Sequence, residues 1–253
     1  MVCFVGAGPG AVDLITVRGQ ERIRRADVII YAGSLVNPAL LEERKASCTV
    51  YNSAAMTLEE VIAVMKGAEE RGLFTVRLHT GDQSLYGAVR EQMDALDALH
   101  IPYEDVPGVS SFCGAASSLN LEYTLPDISQ SVIITRLAGR TPVPESEALR
   151  DLARHRATMV VFLSAGMAGS VQEELLAGAY TADTAAAIVY KATWPDEALY
   201  RCTVGTLAET AEKYHITKTA LLIIGDVVSH TAYNRSKLYD PAFTTGWRQG
   251  NPR

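Results

Sequence analysis

Short apolar runs alternate with amphipathic ones through the first half of the chain. VCFV (2–5) precedes a stretch of helical character from about Val12, and DVIIY (27–31) precedes NPALLEE (37–43). CTVY (48–51) leads into TLEEVIAVMKGAEERG (57–72), and LFTVRL (73–78) into a helix from about Ser84 through ALDALH. PYEDV (102–106) then leads into PGVSSFCGAASSL (107–119). Leu58, Val61, Ile62 and Met65 fall at i, i+3, i+4 and i+7, the stripe of a helix with one buried face. Thr57 with Glu60 three residues later predicts a capping box at its start. Repeated β-α units of this kind predict a largely parallel sheet with helices on both faces.

NLEYTLPDISQ (120–130) breaks the rhythm with a proline and no periodicity, and reads as a linker. A second unit follows: SVIITR (131–136), a Pro-rich excursion (137–145), ALRDLARH (148–155), TMVVFL (158–163), SVQEELLAG (170–178), AAAIVY (185–190), ALYRCTV (198–204), TLAETAEKY (206–214) and TALLIIGDVV (219–228). AAAIVY and ALYRCTV, joined by KATWPDE, predict an antiparallel hairpin, so the second sheet should be mixed. The expected organisation is two α/β domains, 1–120 and 131–230, with a linker at 121–130 and a loosely held tail at 231–253. A ligand cleft is expected between them.

The richest local signal is VCFVGAGPGAVDLITVRGQERI (2–23), where a strand runs into Gly6-Ala7-Gly8-Pro9-Gly10 and then opens a helix. Such a turn lets a ligand approach bare backbone amides. Gly6, Gly8 and Ala11 also fit the dinucleotide fingerprint G-x-G-x-x-G/A. That fingerprint needs an acid at the end of the second strand, to take the ribose hydroxyls. Asp27 stands before the strand VIIYA instead, and Gly33-Ser34 follows it. An NAD(P)-linked oxidoreductase is therefore the alternative reading. Two further strand ends carry glycine: HTGDQSLYG (79–87) and VPGVSSF (106–112). Each alone can be a tight turn. Together, with no Walker lysine, they suit a ligand without a triphosphate that is bound mainly by backbone.

Composition narrows the field. The 253 residues are 48% hydrophobic and 21% charged, with a formal charge of −6. An acidic chain is a poor nucleic-acid partner, though one pocket can still be basic. No signal-peptide pattern and no apolar run near ~18 residues is present, so a cytoplasmic protein without a membrane span is expected. Cys3, Cys48, Cys113 and Cys202 are scattered, as are His79, His100, His155, His215 and His230. Reduced, mostly buried thiols and no protein-bound metal are expected.

From VGAGPG to ALLIIGDVV the chain resembles the tetrapyrrole methyltransferases of cobalamin and sirohaem synthesis, which use S-adenosylmethionine. YAGSLVNPALL (31–41), PGVSSFCGAAS (107–117), LPDISQSVIITRLAGRTPVPE (125–145) and YKATWPDE (190–197) resemble the branch that methylates ring carbon 11. The resemblance implies a two-domain tetrapyrrole methylase fold, a homodimer and a donor held in the cleft. The donor contacts it implies are Pro9, Thr80, Gly81, Asp82, Tyr86, Ser110, Ser111, Ala192, Thr219, Ala220 and Leu221. Where uroporphyrinogen III enzymes carry Tyr-Met-Gly after the VVF strand, this chain has Leu163-Ser164-Ala165. The implied acceptor bears many carboxylates, which calls for cations, preferably Arg. Arg136, Arg140 and Lys191 are the candidates; Arg136 and Arg140 are equally readable as solvated charges, and Lys191 more readily so. Trp194 and Tyr31 are candidates for apolar contact with the macrocycle or for packing. No strong acid, base or nucleophile signature is present, and no catalytic residue is assigned. A non-catalytic tetrapyrrole carrier is the remaining alternative.

Overall fold

The computed structural model describes residues 1–229 and 233–251, so His230 and the ends of the expected tail lie outside the described residues. The chain forms two units. One comprises Met1–Ala115 with Lys191–Glu197, and the other Ala116–Tyr190 with Ala198–Arg253. The division thus gives the connection KATWPDE, embedded in the second half of the sequence, to the first unit.

The first unit is built on β1 (Val2–Gly6), β2 (Val28–Tyr31), β3 (Thr49–Asn52), β4 (Thr75–His79) and β5 (Tyr103–Val106), all parallel in the order β3-β2-β4-β1-β5. Both faces are covered, as parallel sheets require. One face carries Cys3, Val5, Ile29, Val76 and Leu78, packed with Ile23 of α1 (Val17–Arg25). The other carries Val2, Phe4, Val28 and Ile30, packed with Val61 and Met65 of α2 (Leu58–Glu69) and Leu96 of α3 (Arg90–Ala98). The Thr57–Glu60 capping box forms as expected. Helix α4 (Ser111–Leu119) follows β5 in the chain.

Two helix starts differ from the sequence reading. Residues 12–14 form one turn of 3-10 helix, and α1 begins at Val17 because extended Thr16 caps it, its hydroxyl accepting from the Gly19 N–H. The helix expected from Ser84 begins only at Arg90. Tyr86 (φ 57°) and Ala88 (φ 48°) are left-handed, a conformation that cannot continue a right-handed helix. NPALLEE is a 3-10 helix, Pro38–Glu43.

In the second unit β6 (Val132–Arg136), β7 (Thr158–Phe162), β8 (Ala185–Tyr190), β9 (Ala198–Thr203) and β10 (Ala220–Ile224) order as β6-β7-β10-β8-β9. Only β6 and β7 pair in parallel; β10 runs against both neighbours, and β8-β9 is the expected antiparallel hairpin. Leu149 and Ala153 of α5 (Leu149–Ala153), Val171 and Leu175 of α6 (Ala168–Ala177) and Leu207 of α7 (Leu207–Lys213) pack onto one face. The segment expected as a linker is anchored in this unit, since Thr158 donates its hydroxyl to the Tyr123 carbonyl and its N–H to Ser129. In the tail, Arg248 donates to the carbonyls of Leu238 and Asp240 at 2.9 and 2.6 Å. The cysteines are free thiols, but only Cys3 is buried and Cys113 is exposed, which corrects the expectation of mostly buried thiols.

Candidate active site

The carboxyl ends of β1, β4 and β5 meet through their glycines. Gly8 and Gly81 exchange backbone hydrogen bonds at 3.2 and 2.9 Å, both at positive φ (80° and 59°), and Ala7 donates to the His79 carbonyl at 2.7 Å. A Cβ on Gly6 would lie 2.5 Å from Gly108 Cα, and one on Gly108 would lie 2.1 Å from the Gly81 oxygen. These glycines therefore serve close approach of backbone to backbone. Gly81 is different. A Cβ there would meet nothing nearer than the Ser111 nitrogen at 3.5 Å, so it would fill the space before the first turn of α4.

The segment Pro9–Ala11 is pinned from two sides. Trp194 Nε1 donates to the Pro9 carbonyl at 3.0 Å, and Asn37 Nδ2 to the Gly10 carbonyl at 2.8 Å. The Ala11 N–H donates to Thr193 Oγ1 at 3.0 Å. Gly10 is bare because a Cβ would fall 2.1 Å from the Trp194 ring. Thr193 itself sits at φ 67°, which costs a β-branched residue about 1–3 kcal/mol. It is held there by its N–H bond to Glu197 Oε2 at 2.5 Å. Lys191, also at positive φ, pairs with Asp196 at 2.5 Å, and Ala192 between Lys191 and Thr193 is buried. Trp194 and Asn37 thus hold the glycine loop rigid, and the segments that carry them are two of those on which the family resemblance rests.

Asp82 ties two strand ends together. Its Oδ2 accepts from the Gly108 N–H at 2.8 Å and its Oδ1 from the Ser84 N–H and hydroxyl. Burial pushes its carboxyl up, but the bonds from Ser84 and Gly108 outweigh that and hold it below its ordinary value. Thr80 is exposed beside it and Ser110 is buried, its carbonyl accepting from Cys113 and Gly114 as α4 begins. Pro9, Thr80, Gly81, Asp82, Tyr86, Ser110, Ser111, Lys191 and Ala192 all belong to the first unit. In the second, Thr219 (φ 56°) immediately precedes β10, which Ala220 and Leu221 open, with Ala220 opposite Tyr190.

The first unit holds a further polar pair, of which the motifs mark only His79, the first residue of HTGDQSLYG. Strand alternation puts Val76 and Leu78 on the α1 face and Thr75, Arg77 and His79 on the face shared with α2 and α3. All three are buried, Arg77 and His79 at 6% and 5% exposure. Arg77 donates to Gln92 Oε1 at 3.0 Å and to the Ile30 carbonyl at 3.2 Å. His79 stacks on Phe4, and its Nε2 has no hydrogen-bond partner. Both line a cavity of about 290 Å³ whose wall includes Ala32, Ser53, Met56, Thr80 and Tyr86. The sequence carries only a partial signal for this pair: Arg77 stands in the expected strand LFTVRL, and His79 opens the segment that follows it.

Residues 1–208 match the family model described as tetrapyrrole (corrin/porphyrin) methylases. The chain belongs to the tetrapyrrole methylase family. It is 51% identical over 252 residues to a cobalt-precorrin-4 C(11)-methyltransferase of Methanocaldococcus jannaschii, covering 100% of this chain and 97% of that one. It is 46% identical to a precorrin-4 C(11)-methyltransferase of Pseudomonas aeruginosa, covering 94% of each. A solved cobalt precorrin-4 methyltransferase superposes with a TM-score of 0.88 at 43% identity, covering 90% of this chain and 95% of the other. A uroporphyrin-III C-methyltransferase from Thermus thermophilus, complexed with S-adenosylhomocysteine, superposes with a TM-score of 0.75 at 25% identity, covering 91% and 99%.

Within the tetrapyrrole methylase family, Leu163-Ser164-Ala165 has a structural explanation here. Ser164 is fully buried, accepting from the Leu137 N–H at 2.9 Å and donating to the Phe162 carbonyl at 2.7 Å, so its hydroxyl joins the exits of β6 and β7. Asp27 also has a structural role. It accepts from Lys45 Nζ at 2.7 Å and from the Phe74 N–H at 2.9 Å, which together hold its carboxyl below its ordinary value. It sits at the amino end of β2, away from where the oxidoreductase fingerprint needs an acid. Arg136 donates to the carbonyls of Thr141 and Pro142 at 3.2 and 2.6 Å, bracing the Pro-rich loop, and Arg140 is exposed on it. Tyr31 packs against the core of the first unit. Among the described residues no helix is long and apolar enough to cross a membrane, and no group of three or more His, Cys, Asp and Glu is placed to hold a metal.

Proposed function

We propose that the chain is an S-adenosylmethionine-dependent methyltransferase acting on carbon 11 of precorrin-4 or cobalt-precorrin-4 in corrin-ring synthesis. The observation that carries this reading is full-length similarity, 51% identity over 252 residues, to a protein of that activity. In such a transfer the nucleophilic ring carbon bonds to the methyl group as the sulfur–methyl bond breaks, and the sulfonium charge is lost. The chemistry needs alignment more than a strong acid or base, and alignment can be worth up to about 7–11 kcal/mol. The pinned glycine loop fits that need, because a donor lying on it meets backbone that has no freedom to lose. The fit is supported by Gly81, where a side chain would occupy the approach to the Ser111 N–H.

In this reading Pro9, Thr80, Gly81, Tyr86, Ser110, Ser111, Ala192 and Thr219–Leu221 contact the donor, and Asp82 orients the loop. Arg136, Arg140 and Lys191 approach the acceptor's carboxylates; Arg136 keeps Nε and part of Nη2 uncommitted for that purpose. A homodimer in the cytoplasm completes the proposal, and light scattering on the purified protein checks the dimer.

Single-turnover reaction of labelled S-adenosylmethionine with cobalt-precorrin-4, read by product mass, tests the activity. One labelled methyl on the macrocycle is expected. Binding of the macrocycle without transfer would make the chain a carrier. Asp82→Asn, which keeps shape and loses the charge, is expected to weaken S-adenosylhomocysteine binding several-fold and to leave turnover at saturating donor within tenfold. A collapse of turnover with donor affinity intact would instead make Asp82 catalytic.

A further inference from the structure

We propose that Arg77 and His79, adjacent on the buried face of β4, form a subsite for one carboxylate of the acceptor. The proposal rests on the methyltransferase reading and adds residues that the family resemblance does not supply. Its basis is a buried charge without a counter-charge. Arg77 is 6% exposed, yet its partners are a neutral amide and a backbone carbonyl, and among the described residues no carboxylate lies within ion-pair distance. Buried guanidinium groups in folded proteins are ordinarily paired. Only Nε and Nη1 are committed, so Nη2 still has donors to offer a carboxylate. His79 Nε2 is buried and unpartnered in the same cavity wall. A carboxylate between them would satisfy both.

At about 290 Å³ the cavity has room for a carboxymethyl or carboxyethyl arm. The other charged side chain in its wall, Glu91 of α3, is exposed at the rim and forms no ion pair with Arg77. The methionine carboxylate of the donor has the same chemistry. However, neither Gly6–Gly10 nor Ser110 and Ser111 lines this cavity, which shares only Thr80 and Tyr86 with the proposed donor contacts. That placement favours the acceptor.

The decisive variant is Gln92→Glu, which gives Arg77 an internal carboxylate without emptying the cavity; Arg77→Met and His79→Asn accompany it. The acceptor KM for cobalt-precorrin-4 is expected to rise ten- to a hundredfold in Gln92→Glu and Arg77→Met, with melting temperature of Gln92→Glu preserved. Calorimetry should give unchanged affinity for S-adenosylhomocysteine and for 5′-methylthioadenosine, which lacks the carboxylate. Loss of the first with retention of the second would overturn the acceptor assignment and give the subsite to the donor. A folded Gln92→Glu enzyme with unchanged KM and donor affinity would overturn the subsite altogether. Titration of the protein with propionate, followed by the His79 imidazole resonances, reads the subsite even if the wild type proves inactive. A shift is expected in wild type and not in Gln92→Glu.

Discussion

Gly108→Ala is expected to abolish S-adenosylhomocysteine binding and to destabilise the first unit by about 3 kcal/mol or more, the upper range for overpacking. The added Cβ would stand 2.1 Å from the Gly81 oxygen and 2.7 Å from Gly6 Cα. Both neighbours are backbone, fixed by the Gly8–Gly81 hydrogen bonds, so no side chain can swing aside. Relief requires the β1, β4 and β5 exits to separate, which breaks the Asp82–Gly108 bond as well. Gly67→Ala is the control, because nothing lies within 4 Å of its added Cβ in helix α2. There the same methyl group should stabilise by about 0.5–1 kcal/mol. Urea unfolding and calorimetry of the two variants check the contrast. A Gly108→Ala protein that binds the donor normally would mean that the strand ends tolerate separation.

The contrast also explains what the sequence can reveal. Strand and helix periods, the Thr57 capping box and the β8-β9 hairpin depend on neighbours close in the chain, and all are legible there. The three glycine-marked strand ends are legible as turns, but their use against one another is not, since it depends on strand order. Asn37 and Trp194 read as part of long family-like segments, yet they pin the Pro9 and Gly10 carbonyls across separations of up to 185 residues. The helix expected at Ser84 starts later because its composition suits a helix while Tyr86 and Ala88 are held left-handed. Arg77 and His79 are hard to single out for a related reason. In LFTVRL the apolar residues set the strand, and the cost of burying Arg77 inside the sheet emerges only once helices cover both faces.

His79 should make the first unit acid-sensitive in a way one substitution can isolate. Burial, reinforced by the Arg77 charge, depresses its pKa from 6.5 to about 3. The unfolded chain therefore binds a proton near pH 6.5 that the folded unit refuses until about pH 3. Stability from this group is fully present above pH 6.5 and is lost as pH falls, by about 1.4 kcal/mol per pH unit across that window. Arg77 stays charged throughout, so it contributes no slope of its own there. Asp82, whose carboxyl is lowered, loses its contribution only at the acid end of the range. Between pH 7.5 and 4.5, wild type should lose about 2–3 kcal/mol more than His79→Asn, which cannot take up the proton. Unfolding followed by Trp194 fluorescence in a Trp247→Phe background reports on the unit that contains the histidine. Equal losses in the two proteins would mean that His79 is protonated in the folded state near its ordinary pKa. Bound carboxylate should offset this loss: an anion beside the imidazole favours its charged form, so propionate should narrow the difference between the two proteins at pH 4.5. That narrowing should be absent in Gln92→Glu, where Arg77 already has its counter-charge.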